Sequence, residues 1–181
     1  MKLYLVRHGQ TSWNQQGIAQ GRKNIPLNLT GIQQAQELRD KLKAYHFDYC
    51  YASPLARARK TAEIITEGHK VEIVYDELLL ERSFGDNEGK HGKELRKNGL
   101  DIGDLKLNTG ADGVEPVKDV LARADKFLTM IKAKHKTDDT ILIVGHGTML
   151  KCLHFAIEGY DDDLDFWSWH MQNCEIYEHE I

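Results

Sequence analysis

The amino-acid sequence predicts an α/β fold, a single-domain three-layer α/β/α sandwich with a mostly parallel central sheet. Short apolar segments of the kind that form buried strands alternate with longer segments in which hydrophobic residues repeat at helical spacing. This alternation is typical of parallel-rich sheets that are covered by helices on both faces. The length of 181 residues suits one domain with one hydrophobic core, and the sequence contains no internal repeat.

The first strand and the first long helix are predicted within residues 3–44. Leu3–Val6 is an apolar run that we expect to form a buried strand. The segment from Thr30 to about Ala44 is expected to form a helix, because Thr30 and Gln33 have the spacing of a capping box. The hydrophobic residues that line one face of this helix are Ile32, Ala35, Leu38 and Leu42.

Two more strands and a second helix are predicted between residues 47 and 75. Hydrophobic residues alternate in Phe47–Tyr51 and again in Val71–Tyr75, a pattern that is typical of strands. Between these strands, Ser53 is expected to cap a helix that has Pro54 at its first position and ends near Gly68.

In the second half of the chain we predict a long loop with one short helix, two longer helices and two strands. Gly85–Gly113 is rich in glycine and charged residues and is expected to form a loop with one short helix around Lys93. From Pro116, hydrophobic residues repeat at helical spacing over about four turns. Thr140–Val144 is expected to form a buried strand that is followed by a helix, and Cys174–Ile181 is expected to form an edge strand.

The composition favours a cytoplasmic, soluble protein. The net charge of -4 and the pI of about 6.1 argue against non-specific nucleic-acid binding, which needs a basic surface. The apolar stretch near the N-terminus, Leu3–Val6, is too short for a signal peptide or a membrane span. We therefore expect no nucleic-acid or membrane partner. The cysteines form no CxxC pair and are expected to be reduced core thiols: Cys50, Cys152 and Cys174.

Charged side chains are concentrated at the predicted strand ends. Arg7 and His8 directly follow the first strand, and His146 follows the strand at residues 140–144. Arg57 lies in the first turns of a helix that begins after another strand, and Glu81 lies just beyond Val71–Tyr75. In open α/β sheets, ligands bind beyond the carboxyl ends of the strands. The sequence therefore predicts that these side chains share one site.

The predicted site is suited to an anion. Two arginines and two histidines in a small volume repel one another, because unit charges about 4 Å apart interact by roughly 4 kcal/mol at an effective dielectric constant near 20. An arginine fork binds phosphate oxygens in pairs. Glycine beside each histidine lets the backbone and a ligand approach closely, and the predicted helix starts near Ser53 and Thr148 contribute partial positive charge.

A metal site or a nucleotide site fits this pattern less well. His8, His146 and Glu81 include metal-ligand types, but the sequence has no HxxxH, HExxH or Cys/His spacing, and two nearby arginines would repel a cation. The sequence also lacks the GxGxxG and GxxxxGK[ST] motifs of nucleotide-binding loops. We therefore expect neither a metal nor another cofactor.

Four motifs together make the pattern specific. They are "RHGQTSWN" (Arg7–Asn14), "SPLARARKTA" (Ser53–Ala62), "LLERSFGDNEG" (Leu79–Gly89) and "VGHG" (Val144–Gly147), and they occur in this order. With them, residues 1–181 resemble the histidine phosphatase superfamily, the group that includes the cofactor-dependent phosphoglycerate mutases. The resemblance implies an α/β/α sandwich with a mostly parallel sheet, in agreement with the pattern of predicted elements.

The resemblance also implies a role for each residue at the strand ends. His8 matches the nucleophile that becomes phosphohistidine, and Glu81 matches the general acid. Arg7, Arg57 and His146 match residues that hold the phosphate. The resemblance further implies a set of residues that bind the substrate: Arg7, Thr11, Asn14, Gln20, Gly21, Arg57, Glu81 and Gly147. The implied partner is a small phosphorylated metabolite, whereas the oligomeric state is not indicated.

The superfamily contains both phosphatases and mutases, and the sequence favours a phosphatase. Mutases have a longer excursion after the glutamate motif and a C-terminal tail that shields the phosphoenzyme, whereas here the segment at residues 89–116 is short and the chain ends soon after the last strand. A cofactor-dependent phosphoglycerate mutase is the alternative. A binding module that holds phosphorylated ligands without turnover is less favoured, because both His8 and Glu81 are present.

Two further expectations concern the surroundings of the site. A basic cluster formed by Lys90, Lys93, Arg96 and Lys97 is expected to be a solvated helix face, with contact to an acidic substrate tail as the alternative. Because a bound phosphate dianion favours the protonated form of a neighbouring carboxyl group, we expect a mildly acidic rate optimum for phosphate monoesters.

Overall fold

The centre of the protein is a five-stranded, mostly parallel sheet. The computed structural model describes residues 1–97, 113–161 and 163–181, and all statements about the fold concern these residues. The strands are β1 (Lys2–Arg7), β2 (Tyr49–Ala52), β3 (Ile73–Tyr75), β4 (Thr140–Gly145) and β5 (Ile176–Glu180). Their spatial order is β3-β2-β4-β1-β5, and only β5, at one edge, runs antiparallel to its neighbour.

Six α-helices connect or cover these strands in the described part of the chain. They are α1 (Ser12–Gln16), α2 (Leu29–Leu42), α3 (Ala56–Ile65), α4 (Gly92–Lys97), α5 (Val117–Lys134) and α6 (Gly147–Glu158). Two short 3₁₀ turns, at Glu77–Leu79 and Gly85–Asn87, lie between β3 and α4. Among the described residues, no helix has both the length and the apolar character that crossing a bilayer requires.

Helices pack on both faces of the sheet, and alternate residues of each strand supply the two cores. Leu3 and Leu5 of β1 pack in a cluster with α5 and α6, whereas Tyr4 and Val6 pack in a second cluster with α2 and α3. The side chains of successive strand residues point to opposite faces, which explains this division. The predicted three-layer α/β/α sandwich with a mostly parallel sheet is therefore confirmed.

The start of α2 differs from the prediction. Asn28 is the N-cap, and its side-chain oxygen accepts a hydrogen bond from the backbone N–H of Gly31 at 2.8 Å. The capping box predicted for Thr30 and Gln33 is therefore wrong, because Thr30 already lies in the first turn of the helix. Asn28 has the geometry and chemistry of a cap just two residues earlier, and asparagine is among the strongest N-cap residues.

The start of α3 also differs from the prediction. The helix begins at Ala56 and ends at Ile65, with Leu55 as its N-cap, so the predicted start at Pro54 and end near Gly68 are wrong. Ser53 does not cap the helix, because its buried hydroxyl group lies 2.7 Å from the ring of His146. The helix is placed two residues later, and Ser53 is free to contact the site.

The remaining elements follow the prediction with small shifts. Phe47 precedes β2, and β3 begins at Ile73 rather than Val71. The short helix expected around Lys93 is α4, and Lys93 and Lys97 on it have exposed side chains, as expected for a solvated helix face. Lys90, just before the helix, is also exposed, and the side chain of Arg96 lies outside the described part. The rest of the predicted loop, residues 98–112, lies outside the described residues.

Candidate active site

The carboxyl ends of β1 and β4 bring the two predicted histidines together. Arg7 pairs with Gly145 in the sheet register, and the backbone N–H of His8 donates to the carbonyl of Gly145 at 3.0 Å. The rings of His8 and His146 therefore lie side by side, with centroids 5.2 Å apart. Both rings are buried. We call this pair the pocket histidines.

The ring of His8 is held in one orientation with a defined tautomer. Its Nδ1 lies 2.7 Å from the carbonyl oxygen of Gly9. A carbonyl oxygen accepts hydrogen bonds only, so Nδ1 carries the proton and Nε2 keeps a lone pair. Nε2 accepts a hydrogen bond from Nε of Arg57 at 3.3 Å. Burial, followed by the charges of Arg57 and Arg7, holds the pKa of His8 well below its usual value of 6.5.

The backbone around His8 is anchored by residues that sequence reasoning missed. The N–H of Gly9 donates to the hydroxyl oxygen of Thr61 at 3.0 Å, and this hydroxyl donates to the carbonyl of Arg57 at 2.7 Å. The side-chain amide of Asn173 donates to the carbonyl of His8 at 2.8 Å. Thr61 lies within the "SPLARARKTA" motif, but its contact is to a residue more than 50 positions away.

The glycine after His8 is required by packing. A Cβ at Gly9 would lie 2.4 Å from the carbonyl oxygen of Gly31, and such a contact is sterically impossible without a backbone shift. The close contact with Gly31 therefore explains why residue 9 is a glycine, and space for a ligand is not required as the reason. Gly147 differs, because a Cβ there would lie 3.5 Å from Cζ of Arg7, in ordinary contact with the guanidinium group.

Arg57 is almost completely buried and is fixed by three hydrogen bonds. Besides its bond to His8, its two terminal nitrogens donate to the carbonyls of Lys23 and Gly21, each at 2.8 Å. Burial lowers the pKa of Arg57 to about 10, so the group remains positively charged at neutral pH. The carbonyl of Gly21, a predicted substrate-binding residue, is thus engaged in positioning Arg57.

Arg7 is the residue before His8, and its guanidinium group lines the cavity beside Glu81 and Gly147. One terminal nitrogen donates to the carbonyl of Met171 at 2.6 Å. Its Nε is buried, and within the described residues it has no hydrogen-bond partner. Burial lowers the pKa of this guanidinium group, and Glu81 opposes the effect. A buried cationic donor without a partner is available to an incoming anion.

The ring of His146 is hydrogen-bonded through only one of its nitrogens in the part of the chain that the structure describes. Its Nε2 lies 2.7 Å from Oγ of Ser53, and Oγ accepts the N–H of Leu55 at 3.4 Å. The Ser53 hydroxyl donates to Nε2 when the ring proton is on Nδ1, and it accepts from Nε2 in the other tautomer. Among the described residues, Nδ1 of His146 has no hydrogen-bond partner. Burial, then Arg57, keeps the pKa of His146 well below 6.5.

The carboxyl group of Glu81 is bound by the first turn of α6. Oε2 accepts the N–H of Thr148 at 3.2 Å, and Oε1 accepts the N–H groups of Met149 at 3.2 Å and Arg82 at 2.9 Å. The free N–H groups at a helix start are suited to a carboxylate. These bonds place Glu81 beside Gly147, at the same strand end as the pocket histidines.

A network of charged groups supports the loop that carries Glu81. Glu115 forms ion pairs with Arg123 at 2.8 Å and Arg22 at 3.2 Å, and it accepts the backbone N–H of Ser83 at 3.1 Å. Arg22 also donates to the carbonyl of Glu81 at 3.3 Å. Because Glu115 is about 30 residues from this loop, no local sequence signal indicated its contribution.

Three predicted substrate-binding residues form a network with one another. The hydroxyl of Thr11 accepts the N–H of Asn14 at 3.0 Å and donates to the side chain of Gln20 at 2.9 Å. The side-chain oxygen of Asn14 in turn accepts the N–H of Thr11 at 3.1 Å. This network caps α1. Gly21, which follows Gln20 in the sequence, accepts a hydrogen bond from Arg57. A substrate contact from these three residues remains a prediction.

A cavity of about 200 Å³ opens next to Arg7 and Glu81. Its lining residues are Arg7, Glu81, Gly147, Thr148, Lys151, Phe166, Trp167, His170 and Met171. The ammonium group of Lys151 donates to the carbonyl of Phe166 at 2.8 Å and lies 4.8 Å from the ring centre of Trp167. Lys151 lies on α6 and His170 lies in the loop between α6 and β5. Neither belongs to a recognised motif, so the sequence did not indicate that they line this cavity.

Comparison with known proteins is consistent with this geometry. Residues 3–181 match the family model described as the histidine phosphatase superfamily (branch 1). The chain therefore belongs to the histidine phosphatase superfamily.

Three similar proteins illustrate the range of this group. The Bacillus subtilis (strain 168) protein named "Uncharacterized phosphatase PhoE" is 36% identical over 160 residues, which cover 88% of this chain and 79% of that protein. The Escherichia coli (strain K12 / DH10B) "Probable phosphoglycerate mutase GpmB" is 30% identical over 183 residues, with 97% and 83% covered. The structure of phosphoserine phosphatase from Entamoeba histolytica, in complex with 3-phosphoglyceric acid, has a TM-score of 0.79 at 31% identity and covers 98% of this chain and 89% of that chain.

These similarities identify the chain as an enzyme of the phosphatase type. A phosphatase-named relative and a phosphatase structure both match across most of the chain, and a mutase is the weaker alternative. The sequence-based prediction of a phosphatase within the phosphoglycerate mutase-like group is confirmed.

Proposed function

We propose that this protein hydrolyses small phosphate monoesters through a phosphohistidine intermediate on Nε2 of His8. One observation carries the proposal. The Gly9 carbonyl fixes the Nδ1 proton of His8, so that the Nε2 lone pair lies in a buried pocket against Arg57. A neutral imidazole in a fixed orientation is a competent nucleophile at physiological pH.

In the first half-reaction, Nε2 of His8 attacks phosphorus as the bond to the leaving oxygen breaks. Negative charge spreads over the three equatorial oxygens in the transition state. Three groups are available to those oxygens: Nε of Arg7, which has no hydrogen-bond partner among the described residues, the guanidinium of Arg57 and the ring of His146. Preorganised donors in a buried site stabilise developing charge without reorganisation. Arg7 and Arg57 thus supply positive charge that a metal ion provides in other phosphoryl-transfer enzymes.

Glu81 serves as the proton donor and then as the base. In its protonated form it delivers a proton to the departing alkoxide, and its carboxylate then takes a proton from the water that attacks the phosphohistidine. The second step releases inorganic phosphate and restores neutral His8. General acid–base catalysis of this kind contributes typically about 10²–10⁴-fold. The hydrogen bonds from Thr148 and Met149 hold the carboxyl group at the strand end where the alkoxide would leave.

The cavity beside Glu81 supports a small substrate. Its volume of about 200 Å³ suits a compact leaving group rather than a large one. Lys151 and His170 bring positive or polar groups to its wall, and Trp167 offers an aromatic face. We infer that the leaving group is a small polar metabolite. The similar phosphoserine phosphatase from Entamoeba histolytica binds 3-phosphoglyceric acid, a ligand in accord with that size.

The mutase alternative differs in one measurable property. The relative named "Probable phosphoglycerate mutase GpmB" makes this comparison necessary. A mutase would interconvert 2- and 3-phosphoglycerate when primed with a bisphosphate, whereas a phosphatase would release inorganic phosphate from monoesters without a primer. We expect phosphate release to exceed transfer.

The experiment is hydrolysis of p-nitrophenyl phosphate by the full chain in EDTA across pH 4 to 9. We expect turnover in the wild type, no turnover in His8→Ala, and unchanged turnover in His46→Ala, which alters a surface histidine with an 83% exposed side chain. Tight phosphate binding without turnover at any pH would contradict the proposal and would favour a binding module.

A further inference from the structure

A second group of ligand-type side chains lies at the opposite end of β1 from the phosphate pocket. His154 and Glu158 are one turn apart on α6, and His179 lies on β5. One nitrogen or oxygen atom of each lies within 4.8 Å of the others. We call His154 and His179 the edge histidines. Because they are 25 residues apart, their proximity is not visible in the sequence as a metal-binding spacing.

The hydrogen bonds of the edge histidines define which ring nitrogens are available. Nδ1 of His179 lies 3.1 Å from Oε1 of Glu158, so an ionised carboxylate holds the Nδ1 proton and Nε2 keeps a lone pair. That Nε2 lies 3.2 Å from Nδ1 of His154. Two ring nitrogens therefore face each other across a gap in which one proton is shared.

This gap has the dimensions of two ligands on one metal ion. Bonds of about 2.0–2.1 Å from a tetrahedral Zn²⁺ to two imidazole nitrogens place those nitrogens about 3.3 Å apart. A cation would replace the shared proton between His154 and His179. Metal-binding histidines usually donate their other N–H to a carboxylate, which is the contact that His179 makes with Glu158.

The surroundings hold the rings in place and leave an opening. The ring of Trp169 stacks on His154 at 4.3 Å with an interplanar angle of 7°, and the ring of Tyr177 lies 4.8 Å from that of His179. Burial lowers the pKa of both edge histidines, which favours the neutral form that binds metals. The side chain of Glu158 is 56% exposed, so solvent and ions reach the site.

We propose that His154 Nδ1 and His179 Nε2 bind a transition-metal dication of the Zn²⁺ class, with Glu158 orienting His179 and solvent completing the coordination. The site would fasten α6 to the edge strand β5. It is separate from the phosphate pocket, because His154 lies about 10 Å along α6 from Gly147. His179 pairs with Leu3, about 13 Å along β1 from Arg7.

The test is calorimetric titration of the full chain with Zn²⁺ alone, after treatment with EDTA and its removal. We expect saturable binding that is at least tenfold weaker in His154→Ala and in His179→Ala. The matched control is His46→Ala, since the ring of His46 also contacts a carboxylate, that of Asp48, at 3.0 Å. This control should bind Zn²⁺ as the wild type does. Binding that is unchanged in both edge variants, or absent up to about 1 mM Zn²⁺, would overturn the proposal.

Two further measurements guard against a variant that fails to fold. Glu158→Gln changes an exposed side chain, and loss of a supporting carboxylate should weaken Zn²⁺ binding about 10-fold or more.

Cu²⁺ binds the same ligand types more tightly, so it should quench the fluorescence of Trp169 in the wild type. The quenched fraction should fall in Trp169→Phe. Quenching that survives in both His154→Ala and His179→Ala would place the ion elsewhere and contradict the assignment.

Discussion

Two pairs of histidines lie beside this sheet at almost the same ring separation, but their surroundings differ. The centroids are 5.2 Å apart for the pocket histidines, His8 and His146, and 5.1 Å apart for the edge histidines, His154 and His179. Two arginines, the buried Arg57 and the partly buried Arg7, adjoin the first pair, whereas a carboxylate adjoins the second. If both proposals hold, the neighbouring charges, and not the histidines themselves, select an anion at one site and a cation at the other.

The electrostatics of the two pairs show the same contrast. Burial lowers the pKa of all four rings, but at the pocket histidines the charge of Arg57 adds to this effect. At the edge histidines, Glu158 opposes it. A phosphoryl group brought to Arg57 is therefore attracted, whereas a dication there would be repelled.

The largest expected effect is the loss of the nucleophile. His8→Ala should lower kcat for p-nitrophenyl phosphate by at least about 10⁴-fold, because it removes the Nε2 lone pair that attacks phosphorus. Steady-state kinetics provide the measurement, with His46→Ala as the control. A loss of less than tenfold would show that another residue is phosphorylated.

Replacing the proton donor should have a smaller effect that depends on the leaving group. Glu81→Gln should lower kcat about 10²–10⁴-fold for an alkyl phosphate such as glycerol phosphate, whose alkoxide must be protonated. The loss for p-nitrophenyl phosphate should be much smaller, since nitrophenolate leaves without a proton. Glu72→Gln, at an exposed position, is the control. Equal losses for the two substrates would remove Glu81 from the role of acid.

Changing the charge beside His8 should alter both the rate and its pH dependence. In the wild type, the pKa of His8 lies below 6.5, so kcat/KM should persist as pH falls through 6.5 and decline only below it. Arg57→Gln should lower kcat/KM about 10²–10³-fold and move the acidic limb to higher pH, because a neighbouring cation is removed.

Arg57→Lys provides the matched comparison. It keeps the positive charge but loses the guanidinium fork, so we expect a reduced kcat/KM with the acidic limb near its wild-type position. pH profiles of kcat/KM for the three proteins measure this difference. An acidic limb that stays in place in Arg57→Gln would contradict the electrostatic account of the pocket.

The smallest expected effect concerns the support of His146. Ser53→Ala leaves Nε2 of His146 buried without its partner, which should cost about 1–3 kcal/mol of folding free energy. Chemical denaturation measures this cost, and Ser12→Ala, at an exposed position, is the control. Bound phosphate should still stabilise the variant. An unchanged free energy of unfolding would mean that the Ser53 contact contributes nothing.

The sequence allowed the fold and the main site residues to be predicted for one reason. His8 and His146 follow apolar runs whose burial as parallel strands forces both to the same edge of the sheet. Contacts between remote residues could not be predicted in this way. Ser53 has the sequence features of a helix cap, and only the packed structure shows that its hydroxyl reaches His146 instead. Asn28, which caps α2 and also bonds through its backbone and side chain to Gln10, was likewise missed.

The edge histidines show where sequence reasoning ends. His154 lies between hydrophobic residues of α6, and His179 lies on a strand that pairs antiparallel with β1. Nothing in the local spacing of either residue indicates the other. Their proximity depends on the strand order of the sheet, which places β5 next to β1, where His179 contacts His154 and Glu158 of α6.

The most direct test of the account is chemical trapping of the phosphoenzyme. The full chain is mixed with a phosphate monoester, quenched in alkali, which preserves phosphohistidine, and analysed by mass spectrometry after proteolysis. The account predicts phosphate on His8, attached at Nε2 and absent in His8→Ala. Phosphate on another residue, or rapid turnover in His8→Ala, would contradict it.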